Sequence, residues 1–171
     1  MLPKSVDKQE WYLSNKHFGN QEAQATYQAY MASLFEPFGL SLRFDGTIGN
    51  TFQAHRVIQY FQEKEGSEVA GKIIDGVYQR YFTNAMHPAA EATLLESCIE
   101  AGVDQEEAKR VIGDESTGER AARDRLRTVA MDVDAVPVVM VEGKRRDVTL
   151  TGAKEVADYV KALETVIKES S

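Results

Sequence analysis

Residues 136–150 read VPVVMVEGKRRDVTL, and this stretch decides the fold class. Its first half is rich in β-branched residues, which favour strands, and it ends at Glu142-Gly143, a pair typical of a turn. A second short run follows at Asp147-Val148-Thr149-Leu150. Together the two runs predict a β-hairpin, and a two-stranded hairpin needs another element to cover one of its faces.

The residues after the hairpin predict a helix that provides this cover. From about Thr151 onward, apolar residues recur at the three- and four-residue spacing of an amphipathic helix. We expect them to share one buried face: Val156, Tyr159, Val160, Leu163 and Ile167.

Everything before the hairpin predicts helices. The first begins near Asn20 and is expected to bury one stripe, formed by Ala23, Tyr27, Tyr30, Met31 and Leu34. Others begin near Thr51, after Ser67 and at Pro88, because proline is favoured at the first position of a helix. The sequence therefore predicts a predominantly helical α/β fold. We expect a single domain over residues 1–171, with a helical part at 20–131 and the hairpin and last helix at 132–171.

Charge and composition exclude several partner classes. The 171 residues are 43% hydrophobic and carry a net charge of -7, which is typical of a globular protein and repels phosphate backbones and anionic lipids. The basic run Lys144-Arg145-Arg146 is too short to form a nucleic-acid footprint. No apolar run approaches the length of a membrane span. We expect a cytoplasmic protein with no nucleic-acid and no membrane partner.

The single cysteine limits the chemistry. Cys98 has no second cysteine to pair with, so dithiol redox chemistry within this chain is excluded, and its apolar neighbours at helical spacing predict burial. The three histidines show no metal-ligand spacing, and no glycine-rich phosphate motif is present. We expect neither a metal nor a cofactor.

The candidate catalytic pair is His55 with Asp45, because an imidazole that titrates near neutral pH beside a carboxylate suits proton transfer. A purely structural role for His55 is the alternative. His87 stands before Pro88, where a helix N-cap of another type is usual. Tyr27 and Tyr81 lie on the inner faces of two predicted helices. Their hydroxyls are expected to line a pocket or to belong to the core.

Four segments carry a resemblance to a known family. They are, in chain order, the run GTIGNTFQAHR at residues 46–56, the helical stretch Leu94 to Val103, the strand entry Ala135-Val136-Pro137, and Thr151-Gly152-Ala153. The sequence resembles the DsbA-like thioredoxin-fold family, above all its FrnE and 2-hydroxychromene-2-carboxylate isomerase branches. The resemblance implies a thioredoxin fold with an inserted helical domain.

The resemblance also implies site residues. Pro137, after Val136, matches the cis-proline that faces the active centre of thioredoxin folds, and Asn50 and Arg56 match the helix opening beside the family's ligand cleft. The family's first β-α-β unit carries either a CxxC pair or a catalytic serine. No segment here matches that unit, so we expect a truncated fold in which the usual chemistry has no counterpart.

Three function classes remain open. The first is a redox-inactive enzyme that acts on a small apolar or aromatic molecule by acid/base chemistry, of the isomerase, cyclase, lyase or hydrolase type. The second is a shortened thiol oxidoreductase or glutathione transferase-like protein that has lost its redox chemistry. The third is a non-catalytic module that binds a small molecule or a protein.

The predicted hairpin also bears on assembly. Its outer edges would leave backbone N–H and C=O groups unpaired, and we therefore expect a homodimer in which a second copy covers them. The alternative is that residues 1–18 cover the edge within one chain, with Trp11 as the anchor.

Overall fold

The computed structural model describes residues 5–132 and 135–170, which form eight α-helices and four short strands. In chain order these are β1 (Val6–Asp7), α1 (Lys8–Asn15), α2 (Gln21–Phe35), β2 (Thr47–Ile48), α3 (Phe52–Glu65), α4 (Ser67–Thr83), α5 (Glu91–Glu100), α6 (Gln105–Gly113), α7 (Glu119–Asp132), β3 (Val138–Val141), β4 (Val148–Thr151) and α8 (Val156–Ser170). The predominantly helical α/β prediction is confirmed.

The chain divides into two compact units, residues 1–123 and residues 124–171. The second unit holds the hairpin and the last helix, which the sequence also groups together. The single-domain organisation stays a prediction, and each unit is described by itself below.

The core of the first unit lies among α3, α4, α5 and α6, and successive helices of this set pack against each other. Their buried apolar side chains form one cluster, which includes Val57, Phe61, Ile73, Leu94, Cys98 and Val111. Helices α4 and α5 approach closely because Gly76 has no side chain. A Cβ atom placed there would lie 3.0 Å from the Ser97 Cβ. The burial predicted for Cys98 is confirmed, since its exposed fraction is 0%.

A two-residue strand pair holds the N-terminal segment on the first unit. Val6 pairs with Ile48 and Asp7 with Thr47 in antiparallel register, and the backbone N–H of Lys8 donates to the Gly46 carbonyl at 2.9 Å. Helix α1 follows directly. The sequence does not predict this pair, because two residues carry too little alternation to mark a strand.

The hairpin of the second unit matches its prediction. Strand β3 pairs antiparallel with β4, from Val138 opposite Thr151 to Val141 opposite Val148. The Val136–Pro137 peptide bond is cis, as the resemblance implies. Helix α8 begins at Val156 rather than near Thr151.

The prediction that α2 buries an apolar stripe is wrong. On this helix only Gln24 is buried, while Tyr27, Tyr30 and Leu34 keep 42%, 60% and 45% of their surface exposed. Helical spacing shows that one face is apolar, but it does not show which neighbour covers that face.

The α8 stripe differs from its prediction in the same way. Over residues 156–168 of this helix the buried residues are Ala162 and Val166, whereas four of the five expected positions are exposed: Val156, Val160, Leu163 and Ile167. The predicted homodimer stays a prediction.

Within residues 5–132 and 135–170, no helix is both long enough and apolar enough to span a membrane. Cytoplasmic placement also stays a prediction.

Pro88 does not begin a helix. The segment 88–89 forms a turn closed by the Ala90 N–H, which donates to the His87 carbonyl at 3.0 Å, and α5 begins at Glu91. Proline's fixed backbone angle suits the second position of a tight turn as well as a helix start, which is why the motif is ambiguous.

Candidate functional site

The main candidate site is a cavity of about 480 Å³ in the first unit, called here the large cavity. Residues of α1, α3 and α4 and of the β2 region line it. Its wall is mostly apolar and aromatic, with Trp11, Tyr12, Ile58, Val77, Tyr81 and Phe82 among the lining side chains. A pocket of this kind, with a few polar groups, is what a small organic ligand requires.

His55 lies at the rim of the large cavity. It is an exposed residue of α3, one position after the buried Ala54, and both residues line the cavity. The first turn of α3 places it there, since the His55 N–H donates to the Thr51 carbonyl at 3.2 Å. An imidazole in this position can reach both a bound molecule and bulk water, and a group that exchanges protons needs both.

Tyr81 is a lining residue of the large cavity that carries a hydroxyl group. Burial, together with the nearby Tyr12, raises the pKa of Tyr81 to about 12, and burial together with Tyr27 raises the pKa of Tyr12. Both phenols therefore remain protonated at neutral pH and can donate a hydrogen bond. Among the described residues, neither hydroxyl has a hydrogen-bond partner.

A second, smaller cavity of about 180 Å³ shares Tyr12, Tyr81 and Phe82 with the large one. It is called the small cavity below. Tyr27 lines the small cavity and not the large one. Lys8 also lines the small cavity, although nothing in the sequence suggests a role for it. A lysine near the N-terminus is usually solvated, so no sequence signal marks it.

Asp45 does not join His55. The guanidinium of Arg43 donates from Nε to the Asp45 carboxylate at 2.8 Å and makes a second contact through Nη2. This hydrogen-bonded pair lowers the pKa of Asp45. Asp45 is absent from the lining of the large cavity, so the structure does not bring the two residues of the predicted catalytic pair together. A catalytic role for His55 stays a prediction.

Arg56 is a structural residue, which corrects its predicted ligand role. Its side chain is fully buried and donates to the carbonyls of Val111 and Thr117 at 2.8 and 2.7 Å. It also donates to the carbonyls of Ile112 and Asp114, both at 3.1 Å. These bonds satisfy the end of α6 and the turn that follows it, and no part of the guanidinium lines the large cavity.

Asn50 and His87 support local backbone. The Asn50 side-chain oxygen accepts from the Phe52 N–H at 2.8 Å and so marks the start of α3.

His87 Nδ1 accepts from the Ala89 N–H at 3.1 Å, which makes the imidazole the cap of the Pro88 turn. Burial lowers the pKa of His87. Its Nε2 is buried without a described hydrogen-bond partner, and a Cβ on Gly49 would lie 3.0 Å from it.

Val136 and Pro137 belong to the second unit. Both are exposed, and the Pro137 carbonyl accepts from the Gly152 N–H at 2.7 Å. Their ligand-binding role stays a prediction. Across residues 5–132 and 135–170 there is no group of three or more histidine, cysteine or acidic side chains that could hold a metal ion.

Cys98 is expected to be chemically inert in the folded protein. It is fully buried, and burial raises the pKa of its thiol to about 12, so almost none is in the reactive thiolate form at pH 7. We expect no turnover in insulin-disulfide reduction or in oxidation of a reduced peptide. Alkylation by iodoacetamide should be complete in denaturant and negligible in buffer. Turnover above the rate of the Cys98→Ala variant would contradict this expectation.

Comparison with known proteins supports the architecture. A family model described as the DSBA-like thioredoxin domain matches residues 7–164, which confirms the resemblance. The structure is similar to that of a probable DsbA oxidoreductase from Streptomyces coelicolor, with a TM-score of 0.75 and 21% identity over 99% of this chain and 70% of the other. A candidate protein disulfide isomerase from Nitrosomonas europaea gives a TM-score of 0.63 and 17% identity over 89% of this chain and 77% of the other. No curated protein matches the sequence.

Proposed function

Because the chain belongs to the DsbA-like thioredoxin family and its one cysteine is buried, we propose that it acts without redox chemistry on a small apolar or aromatic molecule. The observation that carries the proposal is the large cavity, an aromatic pocket with an imidazole at its rim. The family's usual dithiol chemistry needs two thiols, and this chain has one.

The size and lining of the large cavity support a planar ligand. A cavity of about 480 Å³ falls within the range of roughly 300–1,000 Å³ that is usual for small-molecule sites. Trp11, Tyr12 and Tyr81 offer ring faces and edges for stacking on an aromatic ligand. The described residues that line the cavity include no aspartate, glutamate, lysine or arginine, which favours an uncharged molecule.

The polar groups support acid/base chemistry of the isomerase, cyclase, lyase or hydrolase type. In this proposal His55 removes a proton from the bound molecule as a neutral imidazole and returns it at another atom. The Tyr81 hydroxyl donates a hydrogen bond to the ligand oxygen on which negative charge develops. Asp45 has no part in this scheme, because Arg43 holds its carboxylate.

Proton abstraction next to a carbonyl gives a direct test of His55. We expect the wild-type protein to accelerate exchange of the methyl protons of 2-acetonaphthone for deuterium in D₂O. His55→Gln should lower the rate by about a hundredfold, the usual size of a general-base contribution. The rate is followed by proton NMR. Gln62→Ala serves as the control, since Gln62 is an exposed residue of the same helix, and it should leave exchange unchanged.

Trp11 reports binding separately from catalysis. It is the single tryptophan and it lines the large cavity, so quenching of its fluorescence by 2-acetonaphthone follows occupancy. Equal quenching in wild type and His55→Gln, together with slowed exchange in the variant, would support His55 as the base. Quenching without any exchange in the wild type would contradict the acid/base scheme and favour a binding module.

A further inference from the structure

Lys8 is the most unusual ionisable residue outside the large cavity. It keeps only 7% of its surface exposed, lines the small cavity, and begins α1. Its ammonium donates to the Arg43 carbonyl at 3.1 Å and lies 4.2 Å from the centre of the Tyr81 ring. An ammonium has three N–H donors, so one carbonyl and one ring face do not exhaust its capacity.

No negative charge compensates Lys8 inside the small cavity. Within residues 5–132, the side chains that line it include Lys8, His17 and Arg43 but no carboxylate, in a chain whose net charge is -7. Asp45 acts on Lys8 electrostatically, but its carboxylate already pairs with Arg43. Burial lowers the pKa of Lys8, and Asp45 opposes that effect only in part. A buried cation without a paired anion is costly, and an anionic ligand would remove that cost.

The remaining walls of the small cavity suit one aromatic ring. Phe35, Phe44, Tyr27 and Met31 line it together with Tyr81. Its volume of about 180 Å³ is close to the roughly 150 Å³ of an apolar cavity that accommodates benzene. A single ring with one small substituent therefore fits this volume.

We propose that the small cavity binds a single-ring aromatic carboxylate, with Lys8 as the counter-ion of the carboxylate and Tyr81 against the ring. The protonated Tyr12 hydroxyl, which has no described partner, gives a second donor to the carboxylate. The small cavity adjoins the large cavity and shares Tyr12, Tyr81 and Phe82 with it, but this proposal does not rest on the function proposed for the large cavity.

Benzoate and benzamide test the proposal on the wild-type protein. They have the same shape and differ in charge, so isothermal titration calorimetry measures what the charge contributes. We expect benzoate to bind at least tenfold more tightly than benzamide. Equal affinities, or no benzoate binding at millimolar concentration, would overturn the proposal.

Two variants assign the preference to Lys8. Lys8→Met should abolish the preference for benzoate. Lys72→Met should retain it, because Lys72 is an exposed lysine of α4 that pairs with Glu68. A preserved preference in Lys8→Met would contradict the assignment.

The wild-type protein gives an independent readout in case Lys8→Met does not fold. Bound benzoate should show nuclear Overhauser effects to the Met31 methyl, which lines only the small cavity. Effects confined to the methyl groups of Ile58 and Ile74, which line only the large cavity, would overturn the proposal.

Discussion

Arg56→Met is expected to lower the free energy of unfolding by about 3–5 kcal/mol, because each acceptor left without a donor inside the protein costs about 1–3 kcal/mol and this change affects several. In the wild type, the guanidinium donates hydrogen bonds to four backbone carbonyls, those of Val111, Ile112, Asp114 and Thr117. The last carbonyls of a helix have no partner within the helix, so Arg56 acts as the cap of α6. Methionine fills a similar volume but donates nothing. It leaves the carbonyls of Val111, Ile112 and Thr117 without this donor, whereas the Asp114 carbonyl keeps the Thr117 N–H.

Urea unfolding followed by circular dichroism measures this effect. Arg110→Met is the matched control, because Arg110 lies on α6 itself and is exposed, with contacts to Tyr60 and Glu107. We expect it to cost less than about 1 kcal/mol, the upper value for a surface ion pair. A loss for Arg56→Met no larger than that of the control would show that the four carbonyls find other partners.

Gly46→Ala should produce the second large effect, a loss of about 2–4 kcal/mol from backbone strain and steric overlap together. Gly46 has a φ of 91°, which disfavours any residue with a Cβ atom. The added Cβ would overlap the Ala85 carbonyl oxygen and lie 3.1 Å from the Ala85 carbonyl carbon. Backbone cannot move aside as a flexible side chain can.

Gly39→Ala separates strain from overlap. Gly39 has a φ of 70°, and a Cβ atom there would meet nothing within 4 Å. It should therefore show the conformational cost alone, about 1–2 kcal/mol. Thermal and urea unfolding of both variants give the difference. Equal losses would mean that the segment around Ala85 adjusts freely, which would contradict the close contact as the cause.

The sequence predicts the elements of this fold better than their burial. The hairpin and the core helices follow from periodicity and turn residues, because these patterns are local. The exposure of Tyr30 and Val156 is not predictable in this way, since it depends on which face meets a neighbour. Pro88 shows the same limit, because the motif fits both a turn and a helix start.

The candidate site shows the same limit, because contacts between residues that are distant along the chain are not predictable from local patterns. His55 lines the large cavity, whereas the sequence alone leaves open whether it faces a pocket or the core. Arg56 is one residue further and turns into the core, where its carbonyl partners are 55 or more positions away. The burial of Lys8 is not predictable for a similar reason, since the residues that it contacts, Arg43 and Tyr81, are distant along the chain.

The short β1–β2 pair has a consequence for the order of folding. Helices α3 to α6 pack against chain neighbours, and local contacts of this kind form quickly because little chain entropy is lost in closing them. Joining Val6 to Ile48 closes a loop of about 42 residues, whereas the connections between those helices are one to seven residues long, and the strand pair itself has two residue pairs. The four-helix core can therefore be native while α1 is still detached. Both cavities need residues of α1, so we expect them to be completed last on folding and to be lost first on unfolding.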